Sequence, residues 1–247
     1  MNKAILMSLI LFCSMPLFAF FQKGEMNYEL RIYLCEEGQV NAIQNKINKQ
    51  SKDIYSKYGF KFVTSWKAKA ESQNLLYILF EFKKTTERDL SMTNLLSDSA
   101  AENLLIEKDK SVKNVESILL KINKDLSKTS ATKSKNFKPE GIYEMRTYYM
   151  LPGRYPNIVT RFKDHTRKLF EKQGMVNVVY FDTVERDGSQ PKLLYFLRHK
   201  DEEAAKKAWD GFRVDPDWIK VRDASEESGR IVQKVEAVYM QSLGMKK

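Results

Sequence analysis

Tyr28-Glu29-Leu30-Arg31-Ile32-Tyr33 returns 115 positions later as Tyr143-Glu144-Met145-Arg146-Thr147-Tyr148. In each copy Leu30 or Met145 alternates with charged neighbours, the period of two expected of a half-buried strand. At the same spacing Gly38 returns as Gly153, Tyr55 as Phe170, Lys57 as Lys172, Gly59 as Gly174 and Trp66 as Phe181. Leu75-Leu76-Tyr77 aligns with Leu193-Leu194-Tyr195 once three residues are inserted, and Val115-Glu116 aligns with Val235-Glu236. A fixed offset over this length marks an internal duplication.

Outward from the first strand, Val40, Ile43, Ile47, Ile54 and Tyr58 recur at helical spacing and stop at Gly59, a residue suited to ending a helix. Residues 60–66 and 75–82 read as strands, a polar helix follows from Thr85, and 112–120 close as a fourth strand. The second copy repeats the order over 142–149, 155–172, 176–182, 192–199, 201–212 and 231–240. The pattern predicts an α+β chain of two tandem ferredoxin-like (βαββαβ) units. Two helices cover one sheet face of each unit, so the other must bury itself against a partner. The second copy supplies that partner, and the expected product is a pseudo-dimeric α/β barrel. The expected boundaries are 20–120 for a diverged first unit, 121–138 for a basic linker and 139–247 for the second unit.

Residues 4–21 carry no charge, follow Lys3 and contain a Met15-Pro16 break before Leu17-Phe18-Ala19. They read as a secretory signal peptide over 1–19, cleaved after Ala19, which places the mature protein in a secreted or periplasmic compartment with no membrane span. Cleavage removes Cys13 and leaves Cys35 alone, so no intrachain disulfide forms. The formal charge of +10 is unevenly spread. Residues 20–120 hold 15 basic and 14 acidic groups, 139–247 hold 20 and 17, and 121–138 hold six Lys against one Asp. With near-neutral units, no concentrated basic face is available for nucleic acid.

The second unit resembles the NIPSNAP family. The resemblance rests on Tyr143 through Tyr148, Pro152-Gly153, Phe162-Lys163-Asp164-His165-Thr166, Leu169 through Met175, and Trp209 with Phe212-Arg213-Val214-Asp215-Pro216-Asp217-Trp218. It covers roughly residues 140–241. The first unit keeps the strand and the helix-ending glycine but has Asp98-Ser99-Ala100-Ala101 in place of Asp215-Pro216-Asp217-Trp218. The family looks like part of the dimeric α/β-barrel superfamily, which also holds cofactor-free monooxygenases, haem-dependent enzymes and binding proteins. The resemblance therefore implies a fold rather than a reaction.

Glu144, Arg146 and Tyr148 share one strand face, and Glu29, Arg31 and Tyr33 share its counterpart. If both faces look into the barrel, they converge near the pseudo-twofold axis, where Arg grips a carboxylate and Tyr stacks or donates. The competing reading is that each Glu pairs with an Arg and locks register without a ligand. His165 sits on the border of a helical apolar stripe between Phe162 and Leu169. It is a candidate ligand-binding residue, but with one other His and no cluster at ligand spacing, neither metal nor cofactor is expected. Asp215-Pro216-Asp217 reads as an N-cap, a first-position proline and a first-turn acid. No phosphate loop, Ser-His-Asp order or zinc spacing is present. The expected function is binding of a small molecule or a protein partner, with homo-oligomers allowed. The alternative is a monooxygenase-like oxidoreductase or isomerase using His165, or Glu144 with Tyr148, as base.

Overall fold

A computed structural model describes residues 28–48, 52–82, 85–133 and 136–243. The signal-peptide expectation falls outside these residues. Among them, no helix is long and apolar enough to cross a membrane.

The first unit runs β1 (Tyr28–Cys35), α1 (Val40–Lys46), α2 (Lys52–Lys57), β2 (Lys61–Ala68), β3 (Leu75–Glu81), α3 (Thr85–Ser97) and β4 (Val112–Ile122). The second runs β5 (Ile142–Met150), α4 (Tyr155–Arg161), α5 (Arg167–Lys172), β6 (Val176–Thr183), β7 (Leu193–His199), α6 (Glu202–Val214), α7 (Pro216–Ser225) and β8 (Val232–Ser242). A π turn over Phe162–Thr166 joins α4 to α5. Gly59 and Gly174 hold φ of +83° and +81°, the left-handed conformation that ends the helix before β2 and before β6.

All eight strands form one closed antiparallel barrel in the order β1-β3-β2-β8-β5-β7-β6-β4. Each unit contributes one uninterrupted four-strand sheet, and short seams join them. On one side Trp66 faces Ser242 and Ala68 faces Met240; on the other Leu120 faces Thr183 and Ile122 faces Phe181. Register irregularities recur at matching places, between Phe62 and Thr64 in β2 and between Asn177 and Val179 in β6. Closure removes the exposed edges that each sheet would otherwise present.

Three apolar cores follow from this topology. The barrel interior holds Tyr28, Leu30, Trp66, Tyr77, Tyr143, Met145, Phe181, Leu194 and Phe196. A second core lies between the first sheet and its helices, around Tyr33, Tyr55, Phe60 and Phe80. The third lies under the second unit's helices, around Phe162, Phe170, Tyr195 and Trp209.

Two expectations need correction. The segment 121–138 is not a bare solvated tether, because Lys121 and Ile122 belong to β4 and Asn123, Leu126, Thr132 and Phe137 are buried. Phe137 packs edge-on against Trp66 at 5.5 Å, and Thr132 hydrogen-bonds the Tyr28 hydroxyl at 2.7 Å. The segment thus stoppers one end of the barrel. The alignment of Tyr77 with Tyr195 is also one residue out. Ile32 pairs with Tyr77 and its counterpart Thr147 with Leu194, so Tyr77 corresponds to Leu194. A slip of one residue reverses the face: Tyr77 points into the barrel and Tyr195 lies under the helices.

Candidate functional site

The strand faces carrying Glu29, Arg31 and Tyr33, and Glu144, Arg146 and Tyr148, look outward under the helices and not into the barrel. The six residues therefore form two separate clusters and do not converge on the pseudo-twofold axis. The reason is steric: the alternate positions, Leu30, Ile32, Met145 and Thr147, take the interior face.

In the first unit Arg31 is 1% exposed and fully engaged. Its Nε donates to Glu29 at 2.9 Å and its Nη1 to Glu107 at 2.9 Å, while Phe60 and Phe80 approach the guanidinium with ring centroids at 4.7 and 4.8 Å. Glu29 also accepts from Arg88 on α3 and from Ser117 at 2.6 Å. Glu107 accepts from the hydroxyls of Tyr33 at 2.8 Å and Tyr55 at 2.5 Å. A 3-10 turn over Ile106–Lys108, anchored by buried Leu105 and Ile106, brings Glu107 beneath the sheet. Two carboxylates thus meet two guanidiniums with their polar groups paired, as buried charges require.

Burial alone would raise the Glu29 pKa, but the Arg31 charge and the hydrogen bonds from Arg88 and Arg31 outweigh it and hold the pKa at about 2. A folded-state pKa below the ordinary value of 4.5 contributes stability above pH 4.5, and that contribution is lost as pH falls toward 2. The contribution is about 3 kcal/mol. Urea unfolding of the wild type and Glu29→Gln between pH 7 and pH 2 measures it. The wild type should lose stability more steeply below pH 4.5; parallel curves would contradict the ion-pair reading.

In the second unit Glu144 occupies the place of Glu29 with different partners. It accepts from Arg146 Nη1 at 2.7 Å, from His199 Nε2 at 2.9 Å and from the Trp209 indole at 2.7 Å. Burial raises its pKa, but those partners, His199 first, bring it below the ordinary carboxylate value. Trp209 also lies over the Arg146 guanidinium at 4.2 Å. Sequence reading missed His199, Trp209, Arg88 and Glu107. The helical spacing that buries Trp209 on α6 was visible, but its indole's direction was not.

His165 sits on the π turn, exposed, apart from both clusters. It lines an open cleft of about 1070 Å³ between the α4–α5 rod and α7. Asp215 caps α7 by accepting from the Asp217 amide at 2.9 Å, Pro216 opens the helix, and Trp218 packs on Phe212 with centroids 4.5 Å apart. Among the described residues, no group of three or more His, Cys, Asp or Glu comes together as a metal site.

The barrel interior is divided. Around Trp66, Phe196 and Phe137 it is filled with side chains, whereas the opposite end opens into a cavity of about 630 Å³. Ile32, Tyr77, Ile118, Met145, Leu194 and Val238 form its apolar wall, with Glu116 and Glu236 among the charged residues around it. Tyr77 is 2% exposed, and neither its hydroxyl nor that of buried Thr147 is hydrogen-bonded to a described residue. Burial, with Glu116 adding to it, pushes the Tyr77 pKa up to about 12, so the hydroxyl stays a donor at neutral pH.

A closed eight-strand barrel made from two ferredoxin-like sheets, with helices outside, is the architecture of the dimeric α/β-barrel superfamily, achieved here within one chain. The second unit is a NIPSNAP domain, since residues 143–243 match the NIPSNAP family model. No curated protein matches the chain. Among solved structures, a candidate monooxygenase from Lactobacillus acidophilus NCFM is similar over 87% of this chain and 93% of its own, with TM-score 0.55 and 10% identity. One from Fusobacterium nucleatum is similar over 88% and 93%, with TM-score 0.50 and 11% identity. An uncharacterized NIPSNAP domain protein from Burkholderia xenovorans is similar over 38% of this chain and 91% of its own, with TM-score 0.34 and 16% identity. At these identities the likeness to solved structures is one of fold.

Proposed function

We propose that this protein is an exported NIPSNAP-type α/β barrel that binds a small molecule with an apolar or aromatic body in the open end of its barrel. The observation that carries the reading is the cavity of about 630 Å³ that holds the unpaired hydroxyls of Tyr77 and Thr147. A mostly apolar wall with a few hydrogen-bonding groups is the usual composition of a small-molecule site. Such a wall gains from displacing water, and the two hydroxyls orient the occupant. Export rests on the uncharged stretch over residues 4–21. In this reading the charge clusters under the helices stand outside the cavity, and the first of them is structural.

The test uses a neutral aromatic probe, N-phenyl-1-naphthylamine, together with native mass spectrometry of the purified chain. The wild type should bind one probe with enhanced fluorescence and carry a retained small molecule. Ile118→Trp, which fills the cavity from its half-buried wall, should abolish both while leaving the unfolding midpoint near that of the wild type. Equal probe binding by the two proteins would overturn the assignment.

A further inference from the structure

The duplication offers an internal comparison. Glu29, Arg31 and Tyr33 superpose in register on Glu144, Arg146 and Tyr148. In the first unit a second carboxylate, Glu107, lies against this set and takes hydrogen bonds from Arg31, Tyr33 and Tyr55. In the second unit the described residues place no carboxylate there. On the segment before β8, Glu226 turns away to Arg161 Nη1 and the Ile231 amide, each at 3.2 Å.

The donors that such a carboxylate would satisfy are present and unused. Arg146 makes one hydrogen bond, from Nη1 to Glu144, and its Nε is buried without a partner. The Tyr195 hydroxyl is likewise buried without a partner; it lies beside the Tyr148 hydroxyl and within electrostatic reach of Arg146. Phe170 replaces Tyr55, which removes one donor, while Tyr195 stands where the first unit has Ile78 and restores one. A donor buried without an acceptor is costly, and two around one guanidinium mark a place built for an acceptor. Access differs in the same sense. The Arg146 side chain is 17% exposed, against 1% for Arg31.

We infer that the second unit binds a small organic carboxylate under its helices, seated where the Glu107 carboxylate sits in the first unit and held by Arg146, Tyr148 and Tyr195. The first unit carries its own carboxylate as a permanent occupant. The second takes one from solution. A planar two-oxygen anion suits a guanidinium flanked by hydroxyls, and the surrounding rings of Phe162 and Tyr180, 5.3 and 5.0 Å from Tyr195, favour a short apolar or aromatic tail. This site is separate from the barrel cavity.

Calorimetry and thermal unfolding of the full chain with sodium acetate and sodium benzoate, at constant ionic strength, test the inference. One carboxylate should bind per chain and raise the unfolding midpoint, and benzamide should do neither. Tyr195→Phe should leave the ligand-free midpoint unchanged or higher, because no hydrogen bond is lost, while weakening benzoate binding about tenfold. Glu107→Ala should lower the midpoint and create a second site, so that acetate binds twice and partly restores stability. Ile118→Trp should leave carboxylate binding intact, which separates this site from the barrel cavity. The inference is overturned if the wild type gives no response, if benzamide binds as well as benzoate, if Tyr195→Phe binds normally, or if Ile118→Trp abolishes binding.

Discussion

Arg31→Ala is expected to destabilise the protein by about 3 to 5 kcal/mol, the cost of breaking a buried ion pair from one side. Its guanidinium is 1% exposed and bridges Glu29 and Glu107 beneath the first sheet. Removing it leaves Glu107 with two tyrosine hydroxyls and no positive charge, and Glu29 with Arg88 and Ser117. It also empties a space beside Phe60 and Phe80. Urea unfolding at pH 7 measures the loss. Arg146→Ala is the control: it has one hydrogen bond to give up and a partly exposed side chain, so it should cost less than half as much. Equal losses at the two positions would contradict the distinction drawn between a sealed cluster and an open one.

Trp66→Ala should cost a similar amount, about 3 to 5 kcal/mol, by cavity formation. Trp66 extends from β2 of the first unit, stacks on Phe196 of the second at 4.9 Å and 14°, and meets Tyr143 and Phe137 edge-on. It therefore joins the halves beside a short seam. Its indole nitrogen has no hydrogen-bond partner, so the loss is one of packing alone. Trp66→Phe keeps most of the stacking area and should cost only about 1 to 2 kcal/mol. A small loss in the alanine variant would mean that the interior collapses around the gap; a large loss in the phenylalanine variant would point to something other than packing.

The duplication, the βαββαβ order and the barrel were legible because alternation and helical spacing are local properties repeated at a fixed offset. The direction of the Glu-Arg-Tyr face was not. Both faces of the first strand bury, Leu30 and Ile32 inward and Arg31 and Tyr33 under the helices, so polarity gives no sign of which side is the barrel. Charged residues occupy the helix-covered side because partners from a helix and a turn reach them there. Arg88 lies 59 residues from Glu29 and Glu107 lies 76 residues from Arg31, distances at which no spacing rule operates. The Tyr77 and Tyr195 alignment failed differently. Leu-Leu-Tyr occurs in both strands, and identity favoured matching letters over the true register set by Tyr33 with Leu76 and Tyr148 with Leu193. For the segment 121–138, lysine content concealed Leu126 and Phe137.

Covalent joining of the two sheets also changes what the barrel can become. A barrel assembled from two identical chains depends on protomer concentration and carries every substitution twice, once in each half. With both halves on one chain, closure is intramolecular and each position is free to change alone. Tyr77 faces Leu194 across the pseudo-axis, Glu107 seals one cluster and leaves its counterpart open, and Trp66 interlocks with a smaller Phe181. The single chain has exchanged symmetry for a division of labour, with one half furnishing rigidity and the other kept receptive.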